Sequence, residues 1–264
     1  MKTLILYTAL TTLPLAYGDT KECLSAREYI TTVEFMKSNP EFQLKPDKIR
    51  WYADKVSTGC TGASSKFIKV TRLLMGVGVD SGSSLKAALE FINVDKDVVT
   101  TFIKVFEKTY EEKFLDLDAA TAMKNSLRLT ANFKGNPENA AEDFESVALY
   151  CKNNEGLGLS YKDCSDLAMK VALSGEEFEE ENGDKFIKLY EFIALESEGP
   201  RLTVSESLKI ASDLMVNGPR TFKNFKTSYI YAKSKDGLDL PQKQALELAI
   251  KLASRSSLKV PSKS

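Results

Sequence analysis

The feature that most constrains the fold of this chain is a sequence unit of about 39 residues that occurs six times. In each unit an aliphatic residue follows an aromatic anchor by 12 to 16 positions. Nine positions after the aliphatic residue the side chain is always small, and twelve positions after it is always apolar. A period of this length is typical of solenoids, in which each repeat is one supersecondary unit that stacks on its neighbours.

The anchors are Tyr29, Phe67, Phe102, Phe144, Phe186 and Phe225, and the aliphatic residues are Leu44, Val79, Leu117, Leu159, Leu202 and Leu240. The small residues are Ala53, Ala88, Ser126, Ala168, Ala211 and Ala249, and the apolar residues are Val56, Phe91, Leu129, Val171, Leu214 and Leu252.

Each unit has the pattern of two helices joined by a turn. The first helix carries apolar residues at helical spacing from its anchor, as at Phe186, Leu189 and Ile193. The second helix begins just after the aliphatic residue, where Thr203 and Glu206 form a capping-box pattern in the fifth unit. The other candidate N-caps are Asp80, Asp118 and Ser160.

The sequence therefore predicts an all-α fold of about twelve helices, arranged as six stacked antiparallel hairpins in an α-solenoid. A small residue on the second helix lets a neighbouring helix approach closely, and the apolar residue three positions later fills the adjacent groove. The alternative is a compact all-α globule made from the same helices. In either fold we expect Trp51 and Tyr52 to lie in the core beside Ala53.

In this organisation the chain resembles the general class of helical-hairpin solenoids, such as tetratricopeptide and HEAT-like repeats, over residues 23–256. The resemblance is one of architecture, because the Trp, Gly and Tyr pattern of the tetratricopeptide repeat is absent and the unit is longer. It implies a stack of hairpins with a concave binding face, and it assigns no functional residue.

The four cysteines fit this organisation as two disulfides, each within one unit. Cys23 precedes the first helix of the first unit and Cys60 lies at the end of its second helix, so the hairpin makes them neighbours. Cys151 and Cys164 are neighbours across the turn of the fourth unit. The C-x2-C spacing of zinc and redox sites is absent. We therefore predict both disulfides, which suit an oxidising compartment, with free buried thiols as the alternative.

The first 18 residues have the pattern of a cleaved export signal. A basic residue precedes a mainly apolar run over residues 4–15, and Ala16 and Gly18 are small residues at the positions that a signal peptidase recognises. The run is too short to span a bilayer. We predict cleavage after Gly18 and an exported protein without stable membrane insertion, periplasmic in a bacterium, with a secreted eukaryotic protein as the alternative. We also predict one domain over residues 19–256 and a disordered tail over residues 257–264.

Composition excludes several classes of chemistry. The chain has no histidine, so Ser-His and Cys-His catalytic pairs and His-ligated metal sites are impossible. With 36 Lys and Arg against 37 Asp and Glu, no overall field favours nucleic acid or an anionic membrane. We expect neither a cofactor nor a metal ion.

The functional hypotheses rest on the architecture, because no catalytic motif is evident. The first is an exported, non-catalytic α-solenoid that binds a protein or peptide partner in the cell envelope. The alternatives are a cell-wall-directed enzyme with paired carboxylates and an envelope structural protein that self-associates end to end. A helix of the sixth unit interleaves lysine with tyrosine and is a candidate partner patch, formed by Lys223, Lys226, Tyr229 and Lys233.

Overall fold

The computed structural model describes residues 24–154, 157–174, 182–217 and 220–254. Within these ranges the chain forms twelve α-helices and no β-strand, which confirms the predicted all-α fold. A 3₁₀ turn, Pro40–Phe42, follows the first helix. The helices are α1 (Ala26–Ser38), α2 (Pro46–Ser57), α3 (Ala63–Gly76), α4 (Ser81–Leu89), α5 (Lys96–Tyr110), α6 (Ala119–Leu129), α7 (Pro137–Asn153), α8 (Tyr161–Ser174), α9 (Gly183–Ala194), α10 (Val204–Met215), α11 (Thr221–Lys233) and α12 (Gln242–Ser254).

The helices pair in chain order into six hairpins, from hairpin 1 (α1 and α2) to hairpin 6 (α11 and α12). The odd-numbered helices also pack against each other from one hairpin to the next, and we call them the first layer. The even-numbered helices form the second layer, in which α6, α8, α10 and α12 pack in succession. The extensive contacts thus join helices of the same or adjacent hairpins. This is the predicted stack, whereas a compact globule would also bring distant units together.

The turns within the hairpins carry the caps that the sequence predicts. The Asp80 carboxylate accepts a hydrogen bond from the Ser83 N–H (2.9 Å) at the start of α4, and Asp118 caps α6 in the same way. Thr203 and Glu206 form the predicted capping box at α10. Hydrogen bonds from neighbouring hydroxyl and N–H groups hold the pKa values of the Asp80, Asp118 and Glu206 carboxyl groups below their usual range.

The repeat positions predict burial along the second layer. The small residue is fully buried in all six hairpins. The apolar residue three positions later is at most 3% exposed in hairpins 1 to 5, but Leu252 in hairpin 6 is 39% exposed. Among the described residues no hairpin follows α12, so no further hairpin covers this position.

One expectation about the core is wrong. Trp51 is 45% exposed, and the Lys48 ammonium lies 5.7 Å from the centre of its ring. The buried stripe of α2 is formed by Tyr52, Ala53 and Val56, which share one side of the helix. Trp51 lies about 100° around the helix from Tyr52 and faces away from that stripe.

The structure joins Cys151 in α7 to Cys164 in α8 by a disulfide, with their Cα atoms 5.6 Å apart. Both side chains are buried. Cys60 lies beyond the end of α2, in the loop before α3, and is also disulfide-bonded. Its expected partner, Cys23, lies outside the described residues, so this pairing stays a prediction.

The predicted export signal, residues 1–18, and the predicted tail, residues 257–264, also lie outside the described residues, and both stay predictions. Among the helices of the described ranges, none combines the length and the apolar character needed to cross a bilayer.

Enlarging a buried small residue should disrupt the second layer. We expect Ala211→Leu to lower the free energy of unfolding by about 1–3 kcal/mol, because the added carbons have no space in a fully buried site. Urea denaturation measures this change. Ala120→Leu, at an exposed position of α6, is the matched control and should change stability by less than about 0.5 kcal/mol. Equal losses in the two variants would show that Ala211 is not closely packed.

Removing the disulfide of hairpin 4 should lower stability through the entropy of the unfolded chain. We expect Cys151→Ala/Cys164→Ala to lose about 3 kcal/mol of unfolding free energy, as a loop-entropy model gives for a short closed loop. Urea denaturation under non-reducing conditions measures the loss. A double serine variant is the comparison, because its hydroxyl groups add a burial cost on top of the lost bond. An unchanged midpoint in the alanine variant would contradict a stabilising role.

Candidate functional site

Three grooves lie along the first layer, each between the first helices of successive hairpins. They measure about 640 Å³ between α1 and α3, about 480 Å³ between α3 and α5, and about 420 Å³ between α5 and α7. The first two adjoin, because both use Thr61, Gly62, Ser65 and Lys69 as a common wall. We call these two together the basic groove, after its cations Arg27, Lys66, Lys69, Arg72 and Lys96.

One carboxylate of the basic groove is buried and joins two hairpins. Glu28 in α1 accepts hydrogen bonds from the Gly62 N–H (3.1 Å), the Ser64 N–H (2.7 Å) and the Ser64 hydroxyl (2.5 Å). Gly62 and Ser64 lie at the start of α3, where unpaired N–H groups and the helix dipole favour an anion. Burial by itself raises the pKa of Glu28, but these hydrogen bonds outweigh it and hold the pKa below its usual range. Glu28 is therefore ionised at neutral pH and already satisfied within the protein.

Lys66 in α3 makes a corresponding connection with the opposite charge. Its ammonium donates hydrogen bonds to the carbonyl oxygens of Ile92 (3.0 Å) and Val94 (2.6 Å), in the segment that leads into α5. Burial lowers the pKa of Lys66, while the carboxylates of Asp95 and Glu28 oppose this effect. The ammonium is therefore used to hold the segment that leads from hairpin 2 into hairpin 3.

Glu28 and Lys66 occupy the same repeat position, one residue before the anchor. In hairpin 4 this position is Asp143, which accepts a hydrogen bond from the Gly183 N–H (2.7 Å) at the start of α9. A Cβ at Gly183 would lie 3.0 Å from the Asp143 carbonyl oxygen, so glycine permits this close approach. In hairpins 1, 2 and 4, the side chain before the anchor thus joins the first helix of its hairpin to the next hairpin. Its contact there lies just before, or at the start of, that hairpin's first helix.

The sequence did not lead to a prediction for this position, although it contains a signal. The residue before every anchor is polar, even though its neighbour in the chain is the aromatic anchor. These residues are Glu28, Lys66, Thr101, Asp143, Lys185 and Asn224. Their charges differ in sign, so a search for one repeated residue type does not reveal them.

The charges that remain exposed in the basic groove are predominantly positive. Arg27, Lys69, Arg72 and Lys96 are exposed there, and Asp95 is the exposed carboxylate that opposes them. The Arg72 guanidinium lies 5.4 Å from the centre of a phenylalanine ring of α1, which orients it along the wall between α1 and α3. The basic groove is therefore suited to an anionic ligand.

The third groove carries the opposite charge, and we call it the acidic groove. Among the described residues its carboxylates are Glu142, Asp143, Glu145 and Asp184, and the cation that faces them is Lys104. Glu145 also forms an ion pair with Lys108 of α5. The first layer therefore changes sign between hairpins 2 and 4. Over the part of the chain that the structure describes, no group of three or more Cys, Asp or Glu is placed to hold a metal ion.

The four residues predicted as a partner patch do not form one exposed surface. Tyr229 is 2% exposed and lies in the core, because it is one helical turn from the buried anchor Phe225. The Lys226 ammonium forms an ion pair with Glu196 (2.8 Å). Lys233 donates a hydrogen bond to a carbonyl oxygen of the loop before α12, and Lys223 is exposed. The basic groove at the other end of the stack is the stronger candidate site.

Comparison of the chain with protein-family models, curated proteins and solved structures finds no match in any of the three. The chemistry of the grooves is therefore the basis for a functional proposal.

Replacing the buried carboxylate should weaken the junction between hairpins 1 and 2. We expect Glu28→Gln to lower the free energy of unfolding by about 1–3 kcal/mol at neutral pH, because a neutral amide replaces an anion that accepts three hydrogen bonds. The pKa of Glu28 is lower in the folded state than the ordinary value of 4.5. Its stabilisation is therefore present above about pH 4.5 and is lost as the pH falls through the folded-state pKa.

Chemical denaturation of both proteins at pH values from about 7 to 3 measures this effect. The stability difference between wild type and Glu28→Gln should shrink at the acidic end of the series. Glu34→Gln, at an exposed position of the same helix, is the control and should leave stability nearly unchanged. A difference that grew on acidification would contradict the assigned role of Glu28.

Proposed function

We propose that this protein is an exported, non-catalytic scaffold that binds an extended acidic segment of a partner polypeptide in the basic groove. The observation that carries the proposal is the pair of adjoining clefts on the first layer, which share a wall that contains Lys69 and are lined by exposed cations. Arginine and lysine form charge-assisted hydrogen bonds with carboxylates, so acidic side chains are the matching ligand groups.

The walls of the basic groove are held in place without a ligand. Glu28 joins α1 to the start of α3, and Lys66 joins α3 to the segment before α5. A preformed groove orders few groups on binding, which leaves more of the interaction free energy for affinity. An extended peptide can lie across both clefts, with carboxylates beside Arg27 and Arg72 in one cleft and beside Lys96 in the other.

The charge pattern favours a short acidic segment of a polypeptide over a nucleic acid. A long polyanion that followed the first layer would meet Glu142, Glu145 and Asp184 in the acidic groove. A polypeptide whose acidic segment is followed by basic residues matches both grooves. The net charge of −1 also gives the chain no general attraction for polyanions.

The setting is part of the proposal. The predicted export signal and the Cys151–Cys164 disulfide both support an oxidising compartment outside the cytoplasm. We therefore place the partner in the cell envelope or the secreted space.

Fluorescence anisotropy with a labelled glutamate-rich peptide tests the proposal. We expect the peptide to bind and Lys69→Glu to weaken binding at least tenfold, because Lys69 lines both clefts and its reversal repels the ligand. Added salt should weaken binding, since exposed charges are screened.

Two controls make the test specific. Lys124→Glu reverses an exposed charge on α6, outside the grooves, and should leave the affinity unchanged. A labelled lysine-rich peptide, which matches the acidic groove, should lose no affinity on Lys69→Glu. Equal weakening of glutamate-rich peptide binding by the two charge reversals, or loss of lysine-rich peptide binding on Lys69→Glu, would reject the basic groove as the site of the acidic ligand.

A further inference from the structure

The last hairpin presents an apolar position that every earlier hairpin buries. Leu252 is 39% exposed, whereas the residues at its repeat position in hairpins 1 to 5 are at most 3% exposed. In the second layer α6, α8 and α10 each pack against the second helix of the following hairpin. Leu252 therefore lies at a stacking position on which, within the described residues, no hairpin is stacked.

The first helix of the last hairpin shows the same feature at Tyr231, which is 57% exposed. Tyr231 lies six residues after its anchor. At this position in hairpin 5, Phe192 packs edge-on against Phe225 of hairpin 6, with ring centroids 6.1 Å apart. In hairpin 4, Tyr150 packs edge-on against Tyr190 of hairpin 5, also at 6.1 Å. An aromatic side chain at this position is therefore a contact between hairpins.

The residue six positions after an anchor also contacts the residue that directly follows the anchor of the next hairpin. The Lys226 ammonium lies 4.9 Å from the centre of the Phe192 ring, and Lys108 forms its ion pair with Glu145. In both pairs one residue is six positions after its anchor, and the other is one position after the anchor of the next hairpin. In hairpin 1 the residue after the anchor is Ile30, which is 54% exposed.

Within the stack, each junction is formed by two different surfaces, one from each of two successive hairpins. The last hairpin exposes the first of these surfaces, and the first hairpin exposes the second. The C-terminal face consists of Tyr231 and Leu252. The N-terminal face consists of Tyr29, which is the one anchor that is not fully covered, and Ile30. Solenoids that remain monomeric usually end in units with a polar outer face. Here both ends carry apolar side chains at the stacking positions.

We propose that the protein assembles head to tail, with the C-terminal face of one copy stacked on the N-terminal face of a second copy. In this stack Tyr231 meets Ile30 at the repeat positions that Phe192 and Lys226 occupy within the chain. We choose a second copy as the partner because its hairpin 1 exposes Ile30. This residue lies at the repeat position that contacts the preceding hairpin in the internal junctions. The assembly goes beyond the peptide binding proposed above and does not depend on it.

A contact of this kind is heterologous, because the two surfaces that meet are different. Repetition of the contact gives an open filament, or a ring if the rotation closes. An isologous contact between two C-terminal faces would instead place Tyr231 against Tyr231. Such a contact would pair one repeat position with the same position. The junctions between hairpins 3 and 4 and between hairpins 5 and 6 instead pair two different repeat positions.

Sedimentation velocity over a range of concentrations tests the proposal, with the full chain as recovered from cells and its N-terminus determined by mass spectrometry. We expect the average mass of the wild type to rise with concentration. Ile30→Glu and Tyr231→Glu each place a carboxylate in the junction and should raise the dissociation constant at least tenfold. Leu195→Glu alters an exposed leucine at the end of α9, away from both faces, and should associate like the wild type. Circular dichroism checks that each variant is folded.

A mixture of the two end variants identifies the symmetry of the contact. Ile30→Glu retains an intact C-terminal face, and Tyr231→Glu retains an intact N-terminal face. The mixture should therefore form a one-to-one dimer and no larger species. A wild type that associates while this mixture does not, or dimerisation of Ile30→Glu alone, would overturn the head-to-tail contact.

A wild type that stays monomeric at every concentration would also overturn the proposal. Hydroxyl-radical footprinting of Tyr231 then shows what covers the C-terminal face. Protection of Tyr231 in the monomer would mean that residues 255–264 of the same chain occupy the face, and high reactivity would mean that it is open to solvent.

Discussion

No hairpin in this chain can bury its apolar residues alone, and the other features of the structure follow from that constraint. The small residue on each second helix sets how closely neighbouring helices approach, and the apolar residue one turn later fills the space between hairpins. Its burial fails at Leu252, where the stack ends. The stability of each unit is therefore largely a property of its junctions with the units beside it.

Polar groups reinforce the same junctions in the first layer. The position before the anchor carries an acid in hairpins 1 and 4 and a base in hairpin 2, and each connects to the segment that begins the next first helix. Charges used in this way are withdrawn from the surface, so they do not determine what the grooves attract. The exposed charges beside them set the sign of each groove, so a chain with almost no net charge has one groove lined mainly by cations and another lined mainly by carboxylates.

The repeat pattern correctly predicted burial where side-chain size decides it, as at Ala168 and Ala211. The sequence also correctly predicted helix starts where the capping residue lies next to its helix, as at Asp118. It failed at Trp51, because a shift of one residue moves a helical side chain off the buried stripe. The basic groove was not predicted from sequence. Glu28 binds N–H groups 34 and 36 residues away, and a pattern confined to one unit does not contain such a contact.

The stack also determines how the molecule loses structure. Opening a hairpin at either end of the described stack breaks one junction, whereas opening an internal hairpin breaks two, so partial unfolding is favoured at the ends. The disulfide at Cys60 opposes this in hairpin 1, so hairpin 6, which contains no cysteine, opens more readily. Hairpin 4 is both internal and covalently closed by Cys151 and Cys164, so it resists opening more than its neighbours do. A nick by a protease in hairpin 6 would therefore leave a shortened but still ordered array, in which hairpin 5 becomes the new exposed end.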